Sequence, residues 1–257
     1  MIRYLEAAYS FVQKGRAAGI RLSTRPDAID MEILEILCAY GVTAVELGAQ
    51  SMDERVLQAN GRGHGTDAVR RASGMIRESG ISLGLQMMVG MYGAEDPLQD
   101  ARNTAECFIA MGPDTVRIYP TLIVENTALA KLFRRGSYHP LALEEAVSIC
   151  AELMELFRSN GIRVIRVGLH AEESLQREVL GGPFHPAFGE LCESMIFRNE
   201  IEREVSGRQN AVVYCNPALL SQVKGQKKSN QEYFAEKGYG LKIIPDPGTP
   251  RIRIVGP

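Results

Sequence analysis

The chain has 257 residues, enough to bury a sizeable core as one large α/β domain or as a domain with a small appendix. A formal net charge of -2 and a pI near 6.1 exclude a global attraction to nucleic acid or anionic membranes, so any such contact needs a local patch. No apolar run of about 18 residues and no secretory leader pattern occurs, and we expect a cytoplasmic protein.

The predicted elements begin with an amphipathic helix, MIRYLEAAYSFVQKG, and continue as short β-branched runs that alternate with longer helical stretches. This alternation is typical of βα units that build a parallel sheet with helices outside it. The predicted strands are Ile20 to Thr24, Ala44 to Gly48, Ser82 to Val89, Thr115 to Tyr119 and Val164 to Leu169. Five units do not close an eight-stranded barrel. An open sheet is the alternative, although no glycine-rich dinucleotide loop follows the first strand.

After Leu169 the pattern changes to a turn-rich connector, GGPFHPAFGE, and a helix, LCESMIFRNEIEREV. From about Gln209 the order is strand, helix, tight GQKK loop, helix, strand and strand, which is the βααββ order of a minimal KH-like fold. The sequence therefore predicts three parts: a partial barrel over 1–170, a connector and closing helix over 171–208, and a KH-like module over 209–257.

Polar side chains gather where the predicted strands end, and in parallel α/β folds the working residues lie there. They include Ser23, Arg25, Glu46, Gln50, Gln86, Arg117 and Arg166. Amides and guanidiniums outnumber paired carboxylates, which favours binding of a polar, charged small molecule over hydrolysis by two acids. Arg62 can hold a carboxylate bidentately, and Gln50 can bond an amine or a ribose hydroxyl. The alternative is an ion pair between Glu46 and Arg62 that ties the loop to the barrel rim.

The motifs IRLSTRPD, VELGAQS, NGRGH, GLQMMVG and RIYPTLIVENT, in this order, resemble the radical S-adenosylmethionine (radical SAM) superfamily, in the branch related to the catalytic subunit of Elongator. The resemblance covers residues 1 to about 200. It implies a partial (β/α) barrel of radical SAM type, with S-adenosylmethionine held at the upper strand ends. The cofactor-binding residues it implies are Ser23, Arg25, Glu46, Gln50, Arg62, Gln86, Gly90, Ile118 and Tyr119.

Departures from the family pattern bear on activity. Family members bind a 4Fe-4S cluster through a CxxxCxxC loop, and this sequence holds no such loop. We expect that the intact gene encodes the cluster ligands upstream of Met1 and that this chain alone is inactive as a radical enzyme. Ser23 stands where the family usually has Glu, and the usual GLPG loop reads GMYG, Gly90 to Gly93. The Elongator-like relatives also carry an acetyltransferase domain, and the final stretch is too short for one.

The GQKK loop is a candidate RNA contact. In KH domains the loop between the two helices clamps the nucleic-acid backbone, and the matching residues are Lys224, Gly225, Gln226, Lys227 and Lys228. The alternative is an ordinary solvated lysine-rich turn. His185, between two prolines and two phenylalanines, is expected to be a packing residue rather than a catalytic base.

Three functions follow as hypotheses. The first is a radical SAM protein that modifies RNA, in particular a tRNA base. The second is a cluster-free descendant that binds RNA or S-adenosylmethionine without turnover. The third is an ordinary barrel enzyme with Glu46 or His64 as a proton-transfer group. A partial barrel leaves the edge of its first strand unpaired, which favours self-association or a partner chain there.

Overall fold

A computed structural model describes residues 1–170, 173–205 and 210–256. The helices are α1 (Ile2–Gln13), α2 (Met31–Ala39), α3 (Glu54–Ala59), α4 (Thr66–Glu78), α5 (Pro97–Met111), α6 (Ala128–Arg134), α7 (Leu143–Ser159), α8 (Glu173–Glu178), α9 (Phe188–Val205), α10 (Leu220–Lys224) and α11 (Ser229–Glu236). The strands are β1 (Ile20–Thr24), β2 (Val42–Gln50), β3 (Ser82–Val89), β4 (Thr115–Pro120), β5 (Ile123–Val124), β6 (Arg163–Val167), β7 (Val179–Gly181), β8 (Asn210–Cys215), β9 (Gly240–Pro245) and β10 (Ile252–Val255).

The main sheet has five parallel strands in the order β1, β2, β3, β4, β6. Helices connect successive strands, as expected of βα units, and the predicted partial (β/α) barrel is confirmed. Because all five strands run the same way, their carboxyl ends meet at one rim. Among the described residues β1 is a terminal strand of this sheet, as the sequence predicts.

The two faces of the sheet carry different kinds of side chain. Val45 and Leu47 on β2 and Leu83 and Leu85 on β3 are fully buried and pack under the outer helices. The alternate positions on the inner face are polar or small: Arg21, Ser23, Glu46, Gly84, Gln86 and Arg117. Hydrophobic burial therefore holds the outer face of the sheet against the helices, and the inner, concave face carries the polar side chains.

Short elements fill the connections that the sequence pattern left as loops. Strands β5 and β7 pair antiparallel, and α6 packs beside them in a small cluster of Ile123, Ala130 and Tyr138. Segments of two or three residues carry too little periodicity to predict a strand. They form here because the loop after β4 and the segment after α8 lie side by side.

The C-terminal elements occur in the predicted order. Strand β8 is central, parallel to β9 and antiparallel to β10, and α10 and α11 pack on this sheet. The relation of this mixed sheet to KH domains stays a prediction. So do the domain boundaries, and the one placed at 208/209 lies outside the described residues.

Helix α9 joins the two parts. Its first half, with Phe188, Cys192 and Ile196, belongs to the barrel core. Its second half, with Phe197 and Ile201, belongs to the core of the C-terminal module. One continuous helix buried at both ends fixes how the module sits against the barrel. No helix in the described parts of the chain has the length and apolar character needed to cross a lipid bilayer.

Candidate functional site

A cavity of about 350 Å³ lies at the carboxyl ends of β1, β2 and β3. Its lining comes from the end of β1, the end of β2, the loop between α3 and α4, and the middle of β3: Ser23, Thr24, Arg25, Gly48, Gln50, Gly61, Arg62, Gly63, His64 and Gln86. Five of the nine predicted cofactor-binding residues, Ser23, Arg25, Gln50, Arg62 and Gln86, therefore share one concavity.

Gln50 has an unusual backbone conformation. Its φ is +72°, in the left-handed region that a non-glycine residue seldom adopts. The side-chain amide of Gln50 lies close to Gly48 on the same strand: its Nε2 would be 2.7 Å from a Cβ at that position, so a larger residue at 48 would require the Gln50 amide to move. Gln86 then donates from its own Nε2 to the Oε1 of Gln50, at 3.2 Å. The two amides are thereby held side by side.

The turn after Gln50 is anchored by helix α5. The Ser51 hydroxyl donates to Oδ1 of Asp100 at 2.8 Å and accepts from the backbone N–H of Asp53 at 3.0 Å. The backbone N–H of Met52 donates to Oγ1 of Thr104 at 3.0 Å. Ser51, Asp100 and Thr104 are all buried. Buried hydrogen bonds on both sides of the turn can offset the cost of the left-handed Gln50.

Sequence reasoning missed this anchor. Asp100 and Thr104 are four residues apart on α5, so they lie on the same face of the helix and could have been recognised as a polar pair on an otherwise apolar face. Burial raises the pKa of Asp100, and the Ser51 hydrogen bond partly counteracts this. Its Oδ2 has no hydrogen-bond partner among the described residues.

Arg62 supplies the cavity with a cation. Its Nη2 lies 3.6 Å from the sulfur of Met88, and no ion pair of Arg62 occurs within the described residues. Partial burial, and secondarily the nearby Arg25 cation, lower the pKa of Arg62. Arg25 itself is paired with Asp27 through two hydrogen bonds, of 2.9 and 2.6 Å. Arg62 is thus a guanidinium that remains available to an anionic group of a ligand.

His64 fixes the loop that carries Arg62. The histidine is buried, and its Nε2 lies 3.2 Å from the carbonyl oxygen of Ala49 on β2. A donor to that carbonyl pins the loop to the strand end. This contact gives His64 a positioning part in the site.

Glu46 lies on the inner face of the barrel, outside the lining of this cavity. Its carboxylate accepts from Arg21 at 2.5 Å, lies 3.0 Å from Nε of Arg117, and accepts from the Ser23 hydroxyl at 3.2 Å. The alternative of a Glu46 to Arg62 ion pair is wrong, because the glutamate's two cationic partners among the described residues are Arg21 on β1 and Arg117 on β4. Arg21 could have been predicted, since it alternates with Ser23 along β1.

The remaining predicted cofactor residues, Gly90, Ile118 and Tyr119, lie after the end of β3 and on β4, outside the cavity lining. Gly90 follows β3, and its carbonyl accepts a 2.6 Å hydrogen bond from the Tyr138 hydroxyl. Burial raises the pKa of Tyr138 to about 12, so this hydroxyl stays a donor at neutral pH. Ile118 is fully buried in the core, and the Tyr119 hydroxyl lies 3.4 Å from Nη1 of Arg117. Their part in cofactor binding stays a prediction.

The predicted RNA loop has a defined conformation. Lys227 and Lys228 are exposed and both have positive φ, at +52° and +69°. Two consecutive left-handed lysines cost roughly 1 to 2 kcal/mol each. Lys224 is half-buried, Gly225 is buried and Gln226 is exposed. Below the loop, the fully buried Asn230 donates to the carbonyls of Ser194, at 2.9 Å, and Val223, at 3.1 Å.

Two family models match this chain. One, described as the radical SAM superfamily, covers residues 2–108, and another, the radical SAM C-terminal domain, covers residues 113–198. The chain belongs to the radical SAM superfamily.

Relatives in this superfamily include proteins named for tRNA chemistry. The tRNA uridine(34) acetyltransferase of Methanocaldococcus infernus is 26% identical over 228 residues, which are 88% of this chain and 42% of that protein. Human Elongator complex protein 3 is 31% identical over 157 residues, 60% of this chain and 28% of that protein. The chain thus spans less than half the length of these relatives.

A solved structure shares the fold. The archaeal Methanocaldococcus infernus Elp3 with an N-terminal deletion superposes with a TM-score of 0.63 at 24% identity. The match covers 74% of this chain and 42% of that one. At this identity the likeness establishes the radical SAM barrel and nothing finer.

Radical SAM proteins use S-adenosylmethionine with a 4Fe-4S cluster. The chemistry of the cavity is compatible with the nucleoside cofactor, because Arg62, which forms no ion pair with the described residues, lies beside two amides at a strand rim. The residues present do not fit the cluster: among the described positions no three His, Cys, Asp or Glu side chains converge as metal ligands. The five cysteines lie far apart in the sequence, at 38, 107, 150, 192 and 215.

Proposed function

We propose that this chain binds S-adenosylmethionine at the carboxyl ends of β1 to β3 and contributes this site to a protein that modifies a tRNA base. The observation that carries the proposal is the convergence of Gln50, Arg62 and Gln86 on one cavity. The guanidinium of Arg62 would hold the cofactor's carboxylate, and the paired amides would bond its amino and ribose groups. Ser23 and Arg25 border the same cavity.

The RNA part of the proposal is supported by the relatives' names and by the loop at 224–228. Lys227 and Lys228 are exposed and form no ion pair with the described residues, so both charges are available to phosphates. In this proposal the chain by itself contributes contacts to the cofactor and to RNA.

Calorimetric titration with S-adenosylmethionine tests the cofactor site. Arg62→Gln removes the charge but keeps a polar side chain, and we expect the Kd to rise about tenfold to 100-fold, the range for a charge-assisted hydrogen bond. The matched control is Arg71→Gln on α4, an exposed arginine outside the cavity. Equal affinity of the two variants would refute the assignment of Arg62.

A further inference from the structure

A second cavity, of about 300 Å³, lies where the C-terminal module meets the barrel. Helices α7 and α9 form two of its walls, and the loop that carries Lys227 and Lys228 forms the third. It lies on a different set of elements from the S-adenosylmethionine cavity and shares no residue with it. We propose that this cavity holds a single unstacked nucleobase of a bound RNA strand, a site that rests on the proposed RNA function.

The walls are suited to the faces of a base. Leu143 and Val147 are one helical turn apart on α7, and Leu191 and Met195 are one turn apart on α9, so each helix presents an apolar pair. Leu143, Leu191 and Met195 are only half-buried, which leaves apolar surface uncovered. Aliphatic and thioether side chains on two sides can sandwich a flat ring. The volume is at the lower end of the range for ligand cavities and suits one ring system.

The remaining lining residues can bond the edge of a base. His185 accepts the backbone N–H of Ala187 at its Nδ1, at 3.1 Å, so the neutral ring carries its proton on Nε2 and can donate it. Gln226 is exposed, and its amide offers both a donor and an acceptor. Arg198 donates from its Nε to Asn230, at 3.0 Å, and its guanidinium lies 4.5 Å from the centroid of the Tyr233 ring, while its Nη groups donate no hydrogen bond to the described residues. Polar edges and apolar faces are the combination by which single-stranded RNA is read.

Charge around the cavity favours RNA as the occupant. Lys227 and Lys228 are exposed, stand in the chain between two lining residues, Gln226 and Ser229, and form no ion pair with the described residues, so both charges belong to the loop that borders the cavity. Glu144 is the only acid among the described residues that line it. Asn230 holds the loop against α9 through the Ser194 carbonyl, so the lysines and the cavity keep a fixed separation. A phosphate at the lysines would place the attached base beside the apolar walls.

The test is fluorescence anisotropy with a labelled 12-nucleotide single-stranded RNA, titrated at several salt concentrations. Met195→Trp fills the cavity, and we expect it to weaken binding about tenfold, the order of a lost base stack, with an unchanged salt dependence. Lys227→Ala with Lys228→Ala should instead lower the slope of log K against log salt by about 1.4, for two lost phosphate contacts. Ser148→Trp, exposed on α7 outside the cavity, is the matched control and should bind as the unmodified protein does.

Two further measurements keep the outcomes separate. Gln226 is exposed, so Gln226→Ala should leave the fold intact and weaken binding about threefold, and it tests the cavity even if Met195→Trp unfolds the helices. An abasic oligonucleotide of equal length should bind the Met195→Trp variant and the unmodified protein equally. If RNA binding depends on the lysines but neither cavity variant changes it, the base site is refuted and the RNA function stands. If the unmodified protein binds no RNA, the proposed function fails and the base site fails with it.

Discussion

Replacing Ser51 with alanine tests whether the turn after β2 is anchored by α5. The substitution removes two hydrogen bonds, to Oδ1 of Asp100 at 2.8 Å and from the N–H of Asp53 at 3.0 Å. Each contributes about 1 kcal/mol. It also leaves the buried carboxyl of Asp100 without a donor, since its Oδ2 already has none among the described residues, and this costs at least about 1 kcal/mol more. We expect Ser51→Ala to lower the free energy of unfolding by about 3 kcal/mol.

Urea unfolding at neutral pH measures this loss, provided that the slope with denaturant is unchanged. The matched control is Ser79→Ala, because the Ser79 hydroxyl bonds only the Ile76 carbonyl of its own helix end, at 2.7 Å, and its loss should cost under about 1 kcal/mol. The double variant Ser51→Ala with Asp100→Leu removes both partners, which replaces a buried unpaired acid by an apolar group. It should be more stable than Ser51→Ala alone. A loss below 1 kcal/mol, or a double variant that adds the two single effects, would refute the anchor.

Three other predictions concern buried polar groups elsewhere in the chain as well as Asp100 itself. Burial raises the pKa of Asp100, so the stabilising contribution of this carboxyl is full below the ordinary aspartate pKa of about 4 and is lost as the pH rises through the raised pKa. Asp100→Asn removes the titrating group, so the free energy of unfolding should fall less steeply with rising pH in this variant. Melting temperatures across this range check the sign, and equal slopes would contradict it. Asn230→Ala should cost about 3 kcal/mol in urea unfolding, whereas Asn160→Ala, an exposed residue bonded only to its own helix region, should cost under about 1 kcal/mol. Glu46→Gln should lower the free energy of unfolding, because two arginines lose their buried counter-charge. This destabilising effect should become smaller when the salt concentration is raised. Urea midpoints at low and high salt measure this.

The five strands of the parallel sheet could be predicted because each is an apolar run of a few residues bounded by glycine or a polar turn. Ile20–Thr24 and Ser82–Val89 have the predicted bounds, and β2 extends the predicted strand at both ends. The extension of β2 carries it to Gln50, whose left-handed φ no propensity would place in a strand. The local sequence pattern thus located the strands, but it did not predict the irregular backbone of Gln50, which is one of the candidate site residues.

The expected role of His185 as a packing residue stays a prediction: the residue is half-buried, and its Nδ1 accepts a local backbone N–H. Its place in the lining of the second cavity could not be foreseen, because that lining joins α7, the connector, α9 and the loop at 225–229. These segments are distant in the sequence. Their approach depends on how α9 is shared between the barrel and the C-terminal module.

The sequence by itself determined the parallel order of βα units and the polar residues at the strand ends, because periodicity and strand polarity are properties of short segments. Tertiary structure decided which of those residues share a cavity. It also decided the partners of Glu46, which lie on β1 and β4, and the anchor of Ser51, which lies 49 residues away on α5. The physical reason is that lateral distances between strands and helices are set by packing across the sheet, and no local spacing along the chain records them.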